Sequence, residues 1–370
     1  MNPVVVFNSS LTEGINHPHN SPIKWGSATQ ALPFQPPSWE EARKHVQYRH
    51  INPRPHDVMV AQVQEISQHT RIELAGGRKA LLYPGDLVGV AFGNRYATRQ
   101  YHGVVPSERE VYDMLSQGGV CGEVLSAAGC MREPTLLRPL GFLLNESGDV
   151  VNLRDYGVRP LHNVKRVSTI VVVGSSMDAG KTTMVSSIVH GLSRAGFRVN
   201  AGKITGTACA KDLLNMLDAG ANAVLDFSRA GFSSTASASE QEIHELCDTI
   251  VSHLSADLPD YVVLEIADGV IQRETKMVLD YLVEQGQIDH LCLAVHDALA
   301  APTCIDFLRS NWDLEVRVVS GMATMTPLST AELIDLVDAP CRDCGELASS
   351  AVSQLFVSGA EQFQTLCQSS

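Results

Sequence analysis

The chain of 370 residues carries 41 acidic and 28 basic side chains, a formal charge of −13, with 44% hydrophobic and 19% charged residues. This is the composition of a soluble globular protein, and at about 150 residues per domain it predicts two domains. The acidic balance, without a block of basic residues, argues against nucleic acid or an anionic membrane surface as partner and leaves small anionic ligands to a local site. No basic segment precedes the short apolar run Val4–Phe7, and no run of about 18 apolar residues occurs, so neither secretion nor membrane spanning is expected. The nine cysteines are scattered and odd in number, which predicts reduced, mostly buried thiols in a cytoplasmic protein.

Residues 1–56 are rich in Pro, Asn, Ser and His, as in the run His17-Pro18-His19-Asn20-Ser21-Pro22, and read as an extended arm with a short helix over Trp39–Tyr48. Its histidines, His17, His19, His45, His50 and His56, are expected to face solvent. Short alternating segments follow at Val58–Ile66, Thr70–Leu74, Ala80–Tyr83, Leu87–Phe92, His102–Val105 and Gly122–Leu125. A hairpin follows at Gly141–Leu144 and Val150–Leu153. They predict a small β-rich domain over 57–160, with a linker from Asp155 to Arg166.

From Val167 the pattern becomes strand, helix, strand, helix. Apolar strands are expected at Thr169–Val173, Phe197–Ala201, Tyr261–Ile266, His290–Val295 and Val316–Val319. Strands apolar on both faces and separated by helices imply a parallel sheet covered on both sides. The helix from Glu240 to Leu254 starts with Ser239 and Glu242 in capping-box spacing. The predicted architecture is therefore α/β, a parallel-sheet domain with helices on both faces (167–340) behind the smaller β-rich domain, with a helical extension over 341–370.

The strongest chemical signal joins strand Thr169–Val173 to Gly174, Ser175, Ser176, Met177, Asp178, Ala179, Gly180, Lys181, Thr182, Thr183 and an amphipathic helix. Phosphoryl oxygens need several backbone N–H donors aimed at one place, and a helix N-terminus supplies them with its positive dipole end. Gly180 lets the main chain approach, Lys181 would reach the β- and γ-phosphates, and Thr182 would place its hydroxyl on Mg²⁺. The common spacing puts glycine at the position held by Ser175; here Gly174 stands one residue earlier.

The longer loop resembles the dethiobiotin synthetase branch of P-loop proteins, the class that also holds cobyrinic acid amidating enzymes and the signal-recognition and cell-division ATPases. Two later segments carry the same resemblance. Lys203-Ile204-Thr205-Gly206-Thr207 resembles a lysine-containing stretch that faces phosphates and substrate, with shorter spacing to the glycine. Glu265-Ile266-Ala267-Asp268-Gly269 resembles a segment whose glutamate helps hold Mg²⁺, a role that Glu265 would carry. Over roughly residues 57 to 330 the chain also resembles a bacterial P-loop family, long without a known function, that includes D-glutamate N-acetyltransferases.

Further candidates lie at strand ends, where ligands of open α/β sheets sit. Asp226 is placed either to bind Mg²⁺ or act as base, or to serve as a loop or cap residue. Asp268 beside Gly269 leaves room for a ligand. Arg273 either grips a substrate carboxylate or phosphate with its planar fork, or stands at the surface of a helix start. Thr205 and Gly206 fall on the substrate side of the lysine segment. His296 and Ser320–Thr324 are positional candidates, and Cys341 and Cys344 form a lone Cys-x-x-Cys with no second pair.

The leading expectation is a Mg²⁺- and ATP-dependent enzyme of small-molecule metabolism that transfers a phosphoryl group to a carboxylate or amino-acid-like acceptor, as a ligase does. GTP is the alternative nucleotide. The catalytic set would be Lys181, Lys203, Asp226, Glu265 and Asp268, with Thr182, Asp226 and Glu265 at the metal. An acyl-CoA-dependent N-acyltransferase, its phosphate loop holding CoA or acetyl-CoA, is the second reading that the resemblance implies. A nucleotide-dependent switch or chaperone is the third, and a homodimer or higher homo-oligomer is expected by analogy with related proteins.

Overall fold

The computed structural model describes residues 21–47 and 52–356. Val4–Phe7, His17, His19, His50 and Cys367 lie outside the described residues. The described chain forms two compact units. The first holds residues up to Arg159 together with Thr205–Lys211 and Asp226–Glu242; the second holds Pro160–Ile204, Asp212–Leu225 and the chain from Ile243.

The first unit is a curled sheet with a separate two-stranded hairpin. Its elements are β1 (Ile23–Trp25), α1 (Trp39–Ala42), β2 (Val46–Gln47), β3 (Val58–Glu65), β4 (Arg71–Glu73), β5 (Lys79–Leu81) and β6 (Leu87–Phe92). They continue with β7 (Arg95–Tyr96), β8 (Tyr101–Val104), β9 (Tyr112–Met114), β10 (Val120–Ala127) and β11 (Thr135–Leu143). β6 pairs with β3 on one side and with β10 on the other; β10 pairs with β9, β9 with β11, and β11 returns to β3. These pairings close a ring of five strands, with β1 and β7 as the end strands of the sheet. Phe92 is buried edge-on to Tyr112, at 4.9 Å between ring centroids, and stacks on Phe142 at 5.7 Å.

Two sequence expectations change here. The region expected as an arm contributes β1, parallel to Leu87–Gly89 of β6. Trp25 lies where a Cβ on Gly89 would stand, and its indole N–H donates to Pro36 O at 2.7 Å. A three-residue strand is too short to show periodicity. The helix expected over Trp39–Tyr48 stops at Ala42, because Val46–Gln47 pairs with β11 instead.

The second unit contains β12 (Ser168–Gly174), α2 (Lys181–Arg194), β13 (Val199–Lys203), α3 (Ala210–Asp218), β14 (Ala223–Asp226), α4 (Glu240–Ser255), β15 (Tyr261–Glu265) and α5 (Arg273–Glu284). It ends with β16 (His290–Val295), α6 (Ala300–Trp312), β17 (Val316–Gly321), α7 (Pro327–Ile334), α8 (Cys344–Leu347) and α9 (Ser353–Phe356). The first residues of α3 and α4 and the last residue of β14 count with the first unit. The strand order is β14-β13-β15-β12-β16-β17, and the pairings of β12, β13, β15, β16 and β17 are parallel. This is the predicted α/β architecture, a parallel sheet with helices.

Residues 341–356 belong to the core of this unit, whereas the sequence suggested an extension. Leu347, Val352 and Phe356 are buried with Ile188 and Leu192 of α2, and a Cβ on Gly191 would stand 2.3 Å from Leu347 O. Close packing of a short terminal segment depends on that glycine, which carries no apolar signal of its own.

Candidate functional site

β12 delivers the chain into the loop Ser175–Gly180, and α2 begins at Lys181. Gly180 caps the helix with φ 100°, the left-handed region that glycine adopts without strain, and a Cβ there would meet Gly321 Cα at 3.0 Å. Gly321, at the end of β17, sits against Ala179, and Met322 N–H donates to Ala179 O at 3.1 Å. On the other side Gly269 lies against the loop, since its Cβ would stand 2.6 Å from Ser175 O. Ser175 Oγ accepts from His296 N–H at 3.0 Å, so His296 enters through its backbone. Three strand ends thus press the loop into one shape, and the first turn of α2 leaves its N–H groups without intrahelical partners. The strand, loop and helix form a P-loop.

Lys181 is 6% exposed, and its ammonium donates to Ser176 O at 2.8 Å and to Asp268 O at 2.6 Å. Burial lowers its pKa to about 8, against the opposing attraction of Glu265. The Asp268 carboxylate acts on Lys181 only at a distance, and its backbone takes φ 60°. Asp178, with φ 63°, is the second strained non-glycine residue here. Gly174 is required because a Cβ there would stand 2.9 Å from the Lys181 side chain. Thr183 points to solvent.

Thr182 Oγ1 donates to Glu265 Oε1 at 3.0 Å. Glu265, 1% exposed, also pairs through Oε1 with Lys203 Nζ at 2.8 Å, and Lys203 reaches Asp212 Oδ2 at 2.6 Å. Burial works against the Lys203 charge, but Asp212 and Glu265 hold its pKa well above the ordinary lysine value. The other carboxylate oxygen, Glu265 Oε2, is buried without a hydrogen-bond partner. An orphaned carboxylate oxygen beside a helix-start threonine is a cost unless a cation completes it, so these residues fit a hard cation such as Mg²⁺. Among the described residues no group of three or more His, Cys, Asp and Glu is gathered for a metal. A cation here would be held by one carboxylate, one hydroxyl and the phosphates of its ligand, the usual arrangement for Mg²⁺.

Asp226 is 1% exposed in the first unit, where its Oδ1 accepts from the N–H and hydroxyl of Ser228 and from Arg229 N–H. Thr205 and Gly206 also belong to the first unit, with Gly206 N–H donating to Thr235 Oγ1 at 2.9 Å. Arg273 opens α5, its side chain 53% exposed, and pairs with Glu274 at 3.0 Å. Cys341 is buried and bridges to Val319 of the sheet, and its Sγ lies 3.5 Å from Ala339 O. Sequence reasoning missed Asp212, which stands nine residues beyond Lys203 in α3 and belongs to no motif. A lysine at a strand end and an acid in the next helix's first turn were the available signal.

The depressed Lys181 pKa has a measurable consequence. Above about pH 8 the lysine is largely neutral until a polyanion restores its proton, so binding there takes up a proton and affinity falls by up to about tenfold per pH unit. Below that pH no proton is taken up at this group. Calorimetric titration of Mg-ATP in two buffers of different ionisation enthalpy measures the uptake; equal heats at pH 9 would contradict it.

No family model matches the chain, and no curated protein matches it. Among solved structures it is similar to the signal recognition particle receptor FtsY from Elizabethkingia anophelis, at 17% identity over 55% of this chain and 70% of that chain, with a TM-score of 0.34. It is similar to a DUF1611 family protein from Anabaena variabilis, at 11% identity over 57% of this chain and 65% of that one, TM-score 0.37. A ParA family ATPase from Chlorobium tepidum aligns at 13% identity over 51% of this chain and 92% of that one, TM-score 0.31. Among the described residues no helix is long and apolar enough to cross a membrane.

Proposed function

We propose that the second unit binds a magnesium–nucleoside triphosphate and uses it to activate a small-molecule carboxylate, as a ligase does. The observation that carries this reading is the buried Glu265, which holds the Thr182 hydroxyl on one oxygen and keeps the other unpartnered beside the helix start. Magnesium, when bound, supplies charge neutralisation on the phosphates. The loop amides orient the phosphate chain, and Lys181 exchanges its bonds to Ser176 O and Asp268 O for phosphate oxygens. Lys203, locked between Asp212 and Glu265, holds the glutamate in place. An acceptor carboxylate oxygen then forms a bond to the γ-phosphorus as the bond to the leaving oxygen breaks, and the nucleoside diphosphate departs with that electron pair.

A CoA-dependent acyl transfer would use the same loop for CoA phosphates but would give the Thr182–Glu265 pair and its spare oxygen no task. The resemblance to the family that includes D-glutamate N-acetyltransferases makes amino acids the first acceptors to test. Thermal unfolding with Mg-ATP, Mg-GTP, CoA and acetyl-CoA separates the two readings. A ligand at a hundred times its dissociation constant adds about 2.7 kcal/mol. Stabilisation by a nucleotide only with magnesium is expected; stabilisation by acetyl-CoA alone would overturn the proposal.

A further inference from the structure

Within the second unit, residues 160–166 run beside α4 and α5 and line with them a cavity of about 360 Å³. That segment is pinned near both ends. Leu161 N–H donates to Ser252 Oγ at 3.0 Å, and Arg166 donates to Gly286 O at 2.9 Å and to Asp289 Oδ1 at 2.7 Å. Between the pins the chain turns at Asn163, whose φ of 60° is one that asparagine tolerates. The segment leads into the start of β12, whereas the phosphate loop leaves its end. Seven strand residues at about 3.3 Å each put roughly 20 Å between the cavity and that loop.

The lining is apolar where α4 and α5 meet, with Cys247 and Leu282 buried and Val251 half-buried. One buried polar group interrupts it. Ser255 is 3% exposed and lines the cavity, and its hydroxyl has no hydrogen-bond partner among the described residues. A buried hydroxyl without a partner is costly, so an unpaired one in a cavity wall points to a bound molecule that completes it.

Two opposite charges line the same cavity without meeting. Asp248 accepts the Tyr281 hydroxyl on Oδ1 at 2.8 Å, and the Tyr281 ring is stacked on His244 at 4.2 Å, which holds the carboxylate in place. Among the described residues neither Asp248 nor Lys165 has an ion-pair partner, and Arg166 is committed to Asp289. A simple acid in the cavity would leave Asp248 uncompensated, and a simple amine would leave Lys165 so. We propose that the cavity binds an α-amino acid with an apolar side chain. Asp248 takes its ammonium, Lys165 its carboxylate and Ser255 one further hydrogen bond, while Cys247, Val251 and Leu282 receive the side chain. The proposal does not rest on the nucleotide reading, because none of these residues belongs to the phosphate loop or the Glu265 site.

The test is calorimetric titration of the full chain with L-leucine and L-phenylalanine, and then with 4-methylpentanoate and 3-methylbutylamine, which are leucine without its ammonium and without its carboxylate. Saturable binding of at least one amino acid is expected, with each leucine analogue at least about tenfold weaker than leucine if leucine is bound. Lys165→Met, at an exposed position that does not threaten folding, and Asp248→Asn, which still accepts from Tyr281, should each weaken amino-acid binding about tenfold. Val251→Phe fills the cavity and should abolish it. All three variants should keep the Mg-nucleotide affinity of the parent protein. No binding of either amino acid at millimolar concentration would overturn the proposal. So would binding that survives Lys165→Met and Val251→Phe but disappears in Lys181→Ala, since the amino acid would then sit at the phosphate loop, and so would an acid analogue that binds as tightly as leucine.

Discussion

Lys181→Ala should abolish Mg-nucleotide turnover and weaken nucleotide binding by at least about a hundredfold, while the ligand-free protein unfolds at the same temperature or higher. The loss follows from removing the one ammonium that the loop aims at the phosphates, and losses of that size are typical when a single preorganised donor is deleted. The stability half comes from burial. Moving the lysine pKa from 10.5 to about 8 corresponds to about 3 kcal/mol of unfavourable burial at pH 7. Alanine relieves that cost and forfeits two hydrogen bonds, to Ser176 O and Asp268 O, worth about 1 kcal/mol each. Retained turnover, or a variant that loses activity because it no longer folds, would contradict the role assigned to Lys181. Circular dichroism and thermal unfolding beside the activity assay distinguish the two.

Glu265→Gln should be the most damaging conservative substitution in the second unit. The amide can still accept from Thr182, but it removes the charge that Lys203 pairs with at 2.8 Å and the oxygen available to a cation. Breaking a buried pair from one side costs about 3–5 kcal/mol when nothing compensates; Asp212 remains 2.6 Å from Lys203, so a loss of about 2 kcal/mol is expected. For a unit of this size that lowers the unfolding temperature by roughly 4–8 °C. Nucleotide affinity in the variant should become nearly the same with magnesium and with a chelator. A variant that keeps its magnesium dependence would move the metal site away from Glu265.

The parts of this molecule that were legible in the sequence are those where one pattern dictates one structure. The run Thr169–Val173 is apolar on both faces, so it is a central parallel strand; glycine, lysine and threonine at the following helix start leave little freedom for what the loop becomes. The strand that ends at Glu265 was legible for the same reason, whereas a metal role for that residue came only from the resemblance. The Lys203–Asp212 pair was not, because its members stand on different elements and depend on how α3 lies along the sheet. His56 was misread because its Pro-rich neighbourhood resembles solvent-exposed chain, whereas Phe232 and Ser233, 177 residues on in the case of Ser233, enclose its ring. β1 was invisible because three residues cannot show a period, and its place depends on Gly89 admitting Trp25. Local chemistry is written locally; contacts between distant segments appear only once the chain has folded.

The P-loop of the second unit is proposed to hold a nucleotide together with magnesium through Lys181, Thr182 and Glu265. Isothermal titration of the intact protein with ATP and with GTP, each in magnesium and in chelator, tests it most directly. Saturable binding of one nucleotide that requires magnesium, and that vanishes in Lys181→Ala, is the predicted result. Binding indifferent to magnesium, or no nucleotide binding where acetyl-CoA binds tightly, would contradict it.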